Sequence, residues 1–300
     1  METVEISPQG PRLSRLIYGA WRLSDSEDTS TGATLKKIHA CLDQGITTID
    51  HADIYGNYSC EKLFGKALQQ EPALKKRLQI ITKCGIMLKS SVYPNRRVKH
   101  YDTSAAHINA SVEASLTNLG VDVIDVLLLH RPDPLMDGAE TGACLDRLVA
   151  SGKVRAVGVS NFKPWDCELL QANMRTPLVT NQLEISLLAQ DAFVNGDLAF
   201  ASRKSMSAMA WSPLGGGALF GDSAAALRVR PLMNELAQAS GVSIDAVALA
   251  WLLAHPAGIL PVAGTNNIGR IQALSDCLKV KLDRETWFEL SSAALGHEVA

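Results

Sequence analysis

Four side chains of different chemistry stand where short apolar runs end. Asp50 closes ITTID, Tyr55 follows in the same loop, Lys83 closes LQIITK and His130 closes IDVLLLH. A carboxylate, a phenol, an amine and an imidazole are groups that hold, donate and relay protons. A lysine at the end of a buried run needs a negative partner, since lysine is almost never buried alone. Asp50 is the expected partner. Each residue alone has an ordinary reading: an N-cap aspartate beside a loop tyrosine, a lysine snorkelling to solvent, a structural histidine. Their convergence at consecutive run ends argues for a shared site.

The runs themselves read as strands. Ile46, Thr47, Thr48 and Ile49 are β-branched types that fill a buried pleat, and Gly45 marks their start. Strands are predicted over 16–20, 46–50, 78–83, 124–130, 154–160, 178–182, 207–211 and 259–263, alternating with helical patterns at 33–44, 61–69, 104–119, 139–150, 164–174, 192–204, 225–254, 268–277 and 284–295. Near-continuous hydrophobic strands separated by amphipathic helices imply a parallel sheet covered on its outer face. A closed (β/α)8 TIM barrel of the α/β class, one domain over residues 1–300, fits best. A doubly wound open sheet is the alternative, and no GxGxxG turn follows the first strand to support its dinucleotide-binding form. The long inserts before the fourth and eighth strands are expected on the barrel rim.

Bulk properties narrow the partners. The chain has 300 residues, 47% hydrophobic, and a net charge of −2, with a pI near 6.4. Such a chain has no basic field for nucleic acid or anionic lipid, so a small-molecule partner is expected. No signal-like leader or membrane-length apolar run is seen, and a cytoplasmic location is expected. Cys41, Cys60, Cys84, Cys144, Cys167 and Cys277 lack metal or disulfide spacing.

In a barrel the active face collects the residues at the carboxyl ends of the strands. These are Trp21, Asp50 with Tyr55, Lys83, His130, Ser160 with Asn161, Gln182, Trp211 with Ser212, and Gly264 with Thr265. The strings IDHADIYG, IITKCG, LLLHRPDP, VGVSNF, NQLEIS, AWSPLGGG and PVAGT followed by Arg270 occur in this order. On them the chain resembles the aldo-keto reductase family over nearly its full length. HADIYG and HRPDPLMD are most similar to the bacterial YdhF-like oxidoreductase branch.

The resemblance implies NADPH-dependent reduction of an aldehyde or ketone by hydride transfer. Tyr55 would be the general acid, with Lys83 easing release of its proton, Asp50 holding Lys83, and His130 orienting the substrate oxygen. Ser160, Asn161 and Gln182 would hold the nicotinamide carboxamide, and Trp211 would stack on the ring. Ser212, Pro213, Leu214 and Gly215 with the following glycines would approach the pyrophosphate, Gly264 and Thr265 would meet phosphate, and Arg270 the ribose 2′-phosphate. Asn266, Ala273 and Leu274 depart from the family pattern there and leave NADH as a weaker second cofactor. Trp21 and His51 are assigned to the substrate pocket. His51 replaces the usual small residue, and a structural role is its competing reading. Tyr93, Trp287 and Phe288 are further pocket candidates, although an aromatic pair in a terminal helix more commonly packs. The resemblance favours a monomer.

Two other classes compete. One is a nicotinamide-binding sensor or regulatory module acting through a protein partner, which the resemblance permits. The other is a metal-dependent hydrolase using His51, Asp53 and His130. It lacks further histidine or carboxylate partners at strand ends, and Lys83 would be a poor neighbour for a cation.

Overall fold

The apolar runs close on one another as a barrel. In the computed structural model, which describes residues 1–299, its strands are β1 (Ile17–Gly19), β2 (Thr48–Asp50), β3 (Gln79–Cys84), β4 (Ile124–Leu129), β5 (Val154–Ser160), β6 (Leu178–Glu184), β7 (Ser207–Trp211) and β8 (Leu260–Ala263). They pair in parallel in sequence order, β8 returning to β1 to close the ring. Helices lie between them, so the predicted (β/α)8 barrel is the observed fold.

Two-residue periodicity divides the side chains. Ile17, Ile81, Val126, Leu128, Met209, Leu260 and Val262 fill the barrel interior. Larger apolar clusters occupy the layer between the strands and the helices. An antiparallel hairpin of Thr3–Glu5 with Arg12–Ser14 sits at the amino-terminal end, and its Ile6 and Leu13 belong to the interior cluster. Asp50 follows Thr48 and Lys83 follows Ile81 on the same inward parity, at the opposite mouth. The pairing of β5 with β6 shifts register between Leu178 and Asn181. That shift lets Val179 join the interior while Gln182, at an odd spacing from it, also reaches inward to Asp50.

Capping residues explain the helix starts. Ser30 accepts a hydrogen bond from the Ala33 N–H, so the first helix begins at Thr31. The stretch predicted as one helix over 192–204 is broken into a 3₁₀ turn, Asp191–Phe193, and a helix, Asp197–Arg203. The long helical region before β8 is two helices, Ala224–Ser240 and Ile244–Leu253, bent by 93°. No single helix among the described residues is long and apolar enough to cross a membrane. The insert after β3 forms a short antiparallel pair, Ile86–Met87 with His100–Tyr101, beside the mouth.

Trp287 stacks on Trp251 at 4.8 Å between ring centroids. Each indole N–H donates to the other's carbonyl, at 2.9 and 3.1 Å. This reciprocal pair fastens the last helix, Arg284–Leu295, so Trp287 packs instead of lining the mouth.

Candidate active site

Lys83 is almost fully buried at the end of β3, and Asp50 at the end of β2 is equally enclosed. The Lys83 ammonium donates to Asp50 Oδ2 at 2.7 Å, to the His51 carbonyl at 2.8 Å and to Tyr55 Oη at 2.9 Å. Those contacts satisfy every proton on the amine. Burial pulls the Lys83 pKa below the ordinary lysine range, and Asp50 is the strongest force opposing that fall. Gln182 Nε2 donates to Asp50 Oδ1 at 2.9 Å, so both carboxylate oxygens are engaged.

Tyr55 Oη accepts from Lys83, which leaves the phenolic hydrogen for another acceptor. Burial pushes its pKa well above 10, and the negative charge of Asp50 adds to the rise. The hydroxyl therefore holds its proton firmly in the resting site, while the Lys83 ammonium stays hydrogen-bonded to its oxygen. His130 packs edge-on against Tyr55, with ring centroids 6.0 Å apart. Burial, then the charge of Lys83, holds its pKa well below 6.5. The imidazole is therefore neutral near pH 7 and has one N–H to donate. Among the described residues His130 Nδ1 has no hydrogen-bond partner.

His51 is corrected. It is fully buried, its ring edge-on to Phe64 at 4.7 Å. Residues alternate faces along a strand, so the neighbour of inward Asp50 turns outward into the helix layer. Its side chain is no pocket wall, although its carbonyl holds Lys83. Burial, with Lys83 adding to it, drives the His51 pKa down to about 3. Trp21 lies on the rim after β1, 55% exposed.

The residues expected to meet a nucleotide lie together on the same rim. Ser160 Oγ donates to the Gln182 carbonyl at 2.9 Å, and Asn161 Nδ2 donates to Ser160 Oγ at 2.8 Å. Trp211 Nε1 donates to Asn161 Oδ1 at 3.0 Å. Pro213 is buried below the turn after β7 and Leu214 packs on the core, while Ser212 at φ 47° starts the change of direction. Gly215, Gly216 and Gly217 follow at φ 60°, 64° and 104°. A Cβ on Gly217 would meet nothing within 4 Å, so that glycine is not imposed by neighbouring protein atoms. An open stretch of backbone there suits an approaching pyrophosphate. Gly264, by contrast, is required by the barrel, since its Cβ would come within 2.6 Å of the Gly19 carbonyl. Thr265 Oγ1 accepts from the Asn267 N–H. Arg270, in the helix Ile268–Gln272, is exposed, and its guanidinium has no ion-pair partner among the described residues. The aromatic platform, open backbone and free guanidinium fit a dinucleotide with phosphate.

Several neighbours escaped the sequence reading. The Arg131 guanidinium lies 5.7 Å from the Trp211 ring centroid, and the signal for it was a charge directly after a strand-end histidine. Arg22 donates to the Gly216 carbonyl at 3.0 Å while its own carbonyl accepts from Asn266 at 2.5 Å. The departure at Asn266 thereby has a structural purpose: it ties the loops after β1, β7 and β8. Asp53, pushed up to about 7 by burial, accepts from Ser111 at 2.8 Å behind the site. Among the described residues no group of three metal-ligating side chains converges.

The Aldo/keto reductase family model matches residues 15–294. The chain belongs to that family. A 6-dehydroglucose reductase from Agrobacterium fabrum is 56% identical over 288 residues, 96% of each chain. Oxidoreductase YdhF from Escherichia coli is 42% identical over 303 residues, 100% of this chain and 99% of that one, which supports the YdhF-like branch. A glycerol dehydrogenase from Gluconobacter oxydans has the same fold, with a TM-score of 0.86 at 25% identity over 98% of this chain and 95% of that one. The protein is accordingly an aldo-keto reductase, an oxidoreductase of the nicotinamide-dependent kind that acts on small carbonyl compounds.

Proposed function

We propose that this aldo-keto reductase reduces an aldehyde or ketone to an alcohol with NADPH, using Tyr55 as the general acid. The observation that carries the reading is the buried Lys83 ammonium shared among Asp50, the His51 carbonyl and Tyr55 at 2.7, 2.8 and 2.9 Å. NADPH, when bound, supplies the hydride.

Charge builds on the carbonyl oxygen as its carbon is reduced, so that oxygen needs a proton and fixed donors. The Tyr55 hydroxyl, with one lone pair tied to Lys83, directs its proton to the substrate. Loss of that proton leaves a phenolate 2.9 Å from a buried ammonium, the attraction that the phenol itself could not enjoy. Lys83 therefore favours the developing state more than the starting one. Asp50, fixed by Gln182, keeps the ammonium charged and in place. Neutral His130 donates its single ring N–H to the same oxygen and so orients the carbonyl. Solvent then returns a proton to Tyr55.

Ser160, Asn161 and Gln182 would hold the carboxamide and Trp211 the nicotinamide face. Ser212, Pro213, Leu214, Gly215, Gly264 and Thr265 would shape the phosphate path. Arg270 would pair with the 2′-phosphate, a match of planar guanidinium and dianion that favours NADPH over NADH. The relative named 6-dehydroglucose reductase extends the reading to a sugar aldehyde as the substrate class.

The test is tryptophan-fluorescence titration with NADPH and NADH, followed by turnover of a sugar aldehyde. NADPH-selective quenching that weakens in Trp211→Ala and Arg270→Ala, with turnover lost in Tyr55→Phe, supports the reading. Equal affinity for both nucleotides would remove the Arg270 assignment, and full activity in Tyr55→Phe would remove the general acid.

A further inference from the structure

The turn that carries Tyr55 is wound against the preference of its residues. Gly56, Asn57 and Tyr58 follow one another at φ 58°, 53° and 68°. Glycine suits the first position on space as well, since a Cβ there would lie 2.3 Å from Ser24 Oγ. Asparagine tolerates the left-handed region through its short polar side chain. Tyrosine has no such allowance, and a bulky residue at positive φ persists only where its surroundings hold it.

The insert after β3 does the holding. The Leu88 N–H donates to Tyr58 Oη at 3.1 Å, and the Arg96 guanidinium donates to the same oxygen at 2.7 Å and to the Leu88 carbonyl at 3.3 Å. Tyr93 meets Tyr58 edge-on with centroids 4.8 Å apart, and Arg96 lies 3.7 Å from the Tyr93 ring centroid. Beside them Asn57 Nδ2 donates to Ser91 Oγ at 3.0 Å. At its other end the turn is fixed to the site, through Tyr55 Oη on Lys83 and through the Ser59 N–H, which donates to the Tyr55 carbonyl at 3.1 Å. A left-handed turn thus runs from the phenol on Lys83 to a phenol on Arg96.

We propose that Arg96 and Tyr58 are positioning residues for the proton donor, holding the turn in the winding that keeps the Tyr55 hydroxyl on Lys83. The proposal rests on the reading of Tyr55 as general acid. Without the staple the left-handed winding loses its support, and the turn relaxes toward conformations that carry Tyr55 off its register. A displacement of about 1 Å in such a group lowers turnover by up to about a hundredfold.

The test uses the full-length enzyme with NADPH and a generic aldehyde such as a nitrobenzaldehyde. Arg96→Ala, Arg96→Lys, Tyr58→Phe and Tyr55→Phe are compared with wild type, as is Arg96→Ala in the Tyr55→Phe background. Expected in Arg96→Ala and Tyr58→Phe is a fall in kcat between about tenfold and about a hundredfold. NADPH affinity and Tm stay close to wild type. Arg96→Lys keeps a donor and recovers part of the loss, and guanidinium ion restores part of kcat in Arg96→Ala alone. In the Tyr55→Phe background Arg96→Ala adds no further loss.

Unchanged kcat in Arg96→Ala and Tyr58→Phe, with Tyr55→Phe inactive, overturns the staple and leaves the general-acid reading standing. Full activity in Tyr55→Phe removes both. Parallel loss of kcat, cofactor affinity and Tm assigns the pair to overall stability and overturns the proposal. If Arg96→Ala fails to fold, Tyr58→Phe carries the test, because it removes a single oxygen.

Discussion

Gln182 and Asp50 are 132 residues apart in sequence, and Gln182 Nε2 lies 2.9 Å from Asp50 Oδ1 across the barrel mouth. The amide occupies one carboxylate oxygen while Lys83 holds the other. Gln182→Ala would leave a buried carboxylate oxygen without its donor, at a cost of about 1–3 kcal/mol. Urea unfolding should register that loss at pH 7, and kcat should fall because Asp50 no longer fixes Lys83. Wild-type stability in the variant would mean that water replaces the amide at no cost.

Lys83 and Asp50 should be separable in stability and inseparable in catalysis. Removing one member of a buried ion pair strands the other charge, and Lys83→Met should destabilise the fold by about 3–5 kcal/mol. Adding Asp50→Asn removes the stranded charge and should recover most of that loss. Activity should stay down by at least about a hundredfold in both, since the phenolate has lost its counter-charge. Restored activity in the double variant would exclude the ammonium from the reaction.

His51 offers a linkage test. Its folded pKa of about 3 lies below the unfolded value of 6.5, so between those values the unfolded chain binds the extra proton. Stability from this group is complete above the unfolded pKa and is lost as pH falls toward the folded one. His51→Leu should therefore gain on wild type as pH drops from 7 to 5, by up to about 2 kcal/mol at about 1.4 kcal/mol per pH unit. The comparison isolates His51 from His130, whose pKa moves in the same direction. Parallel stability curves for the two proteins would show that the buried imidazole does not titrate with the fold.

The barrel was legible because its strands are apolar runs with sharp ends. Val154–Ser160 and Ser207–Trp211 have the predicted bounds. At β2 the run of apolar types overstates the strand, which begins at Thr48. Asp50, Tyr55, Lys83 and His130 were legible from their places at run ends, and the fold brings Asp50, Lys83 and Tyr55 into direct contact. The parity that places His51 outside was present in the sequence too, since it follows an inward residue directly. The Gln182–Asp50 bond was hidden, because it depends on a register shift within β6 that no residue type marks. The Tyr58–Arg96 contact spans 38 residues and an irregular insert, where periodicity carries no information.

The direction of the Tyr55 shift sets the pH–rate profile. Burial and Asp50 raise its pKa well above 10, so the donor keeps its proton throughout the neutral and mildly alkaline range. His130, with its pKa held well below 6.5, stays neutral over the same range. Neither group changes charge between about pH 6.5 and about pH 9, so kcat for aldehyde reduction should be flat there for as long as the buried Lys83 keeps its proton. The acid limb should appear below that plateau as His130 gains a second proton, and His130→Asn should abolish that limb while lowering the plateau. The alkaline limb begins with loss of the Lys83 proton, which burial makes easier than for an ordinary lysine, and Tyr55 follows only well above its usual range. An alkaline fall centred near pH 8 would show instead that the Lys83 ammonium dominates the phenol once substrate and cofactor fill the mouth. Steady-state turnover across this range, with cofactor saturation checked at each pH, distinguishes the two balances of charge at one hydroxyl.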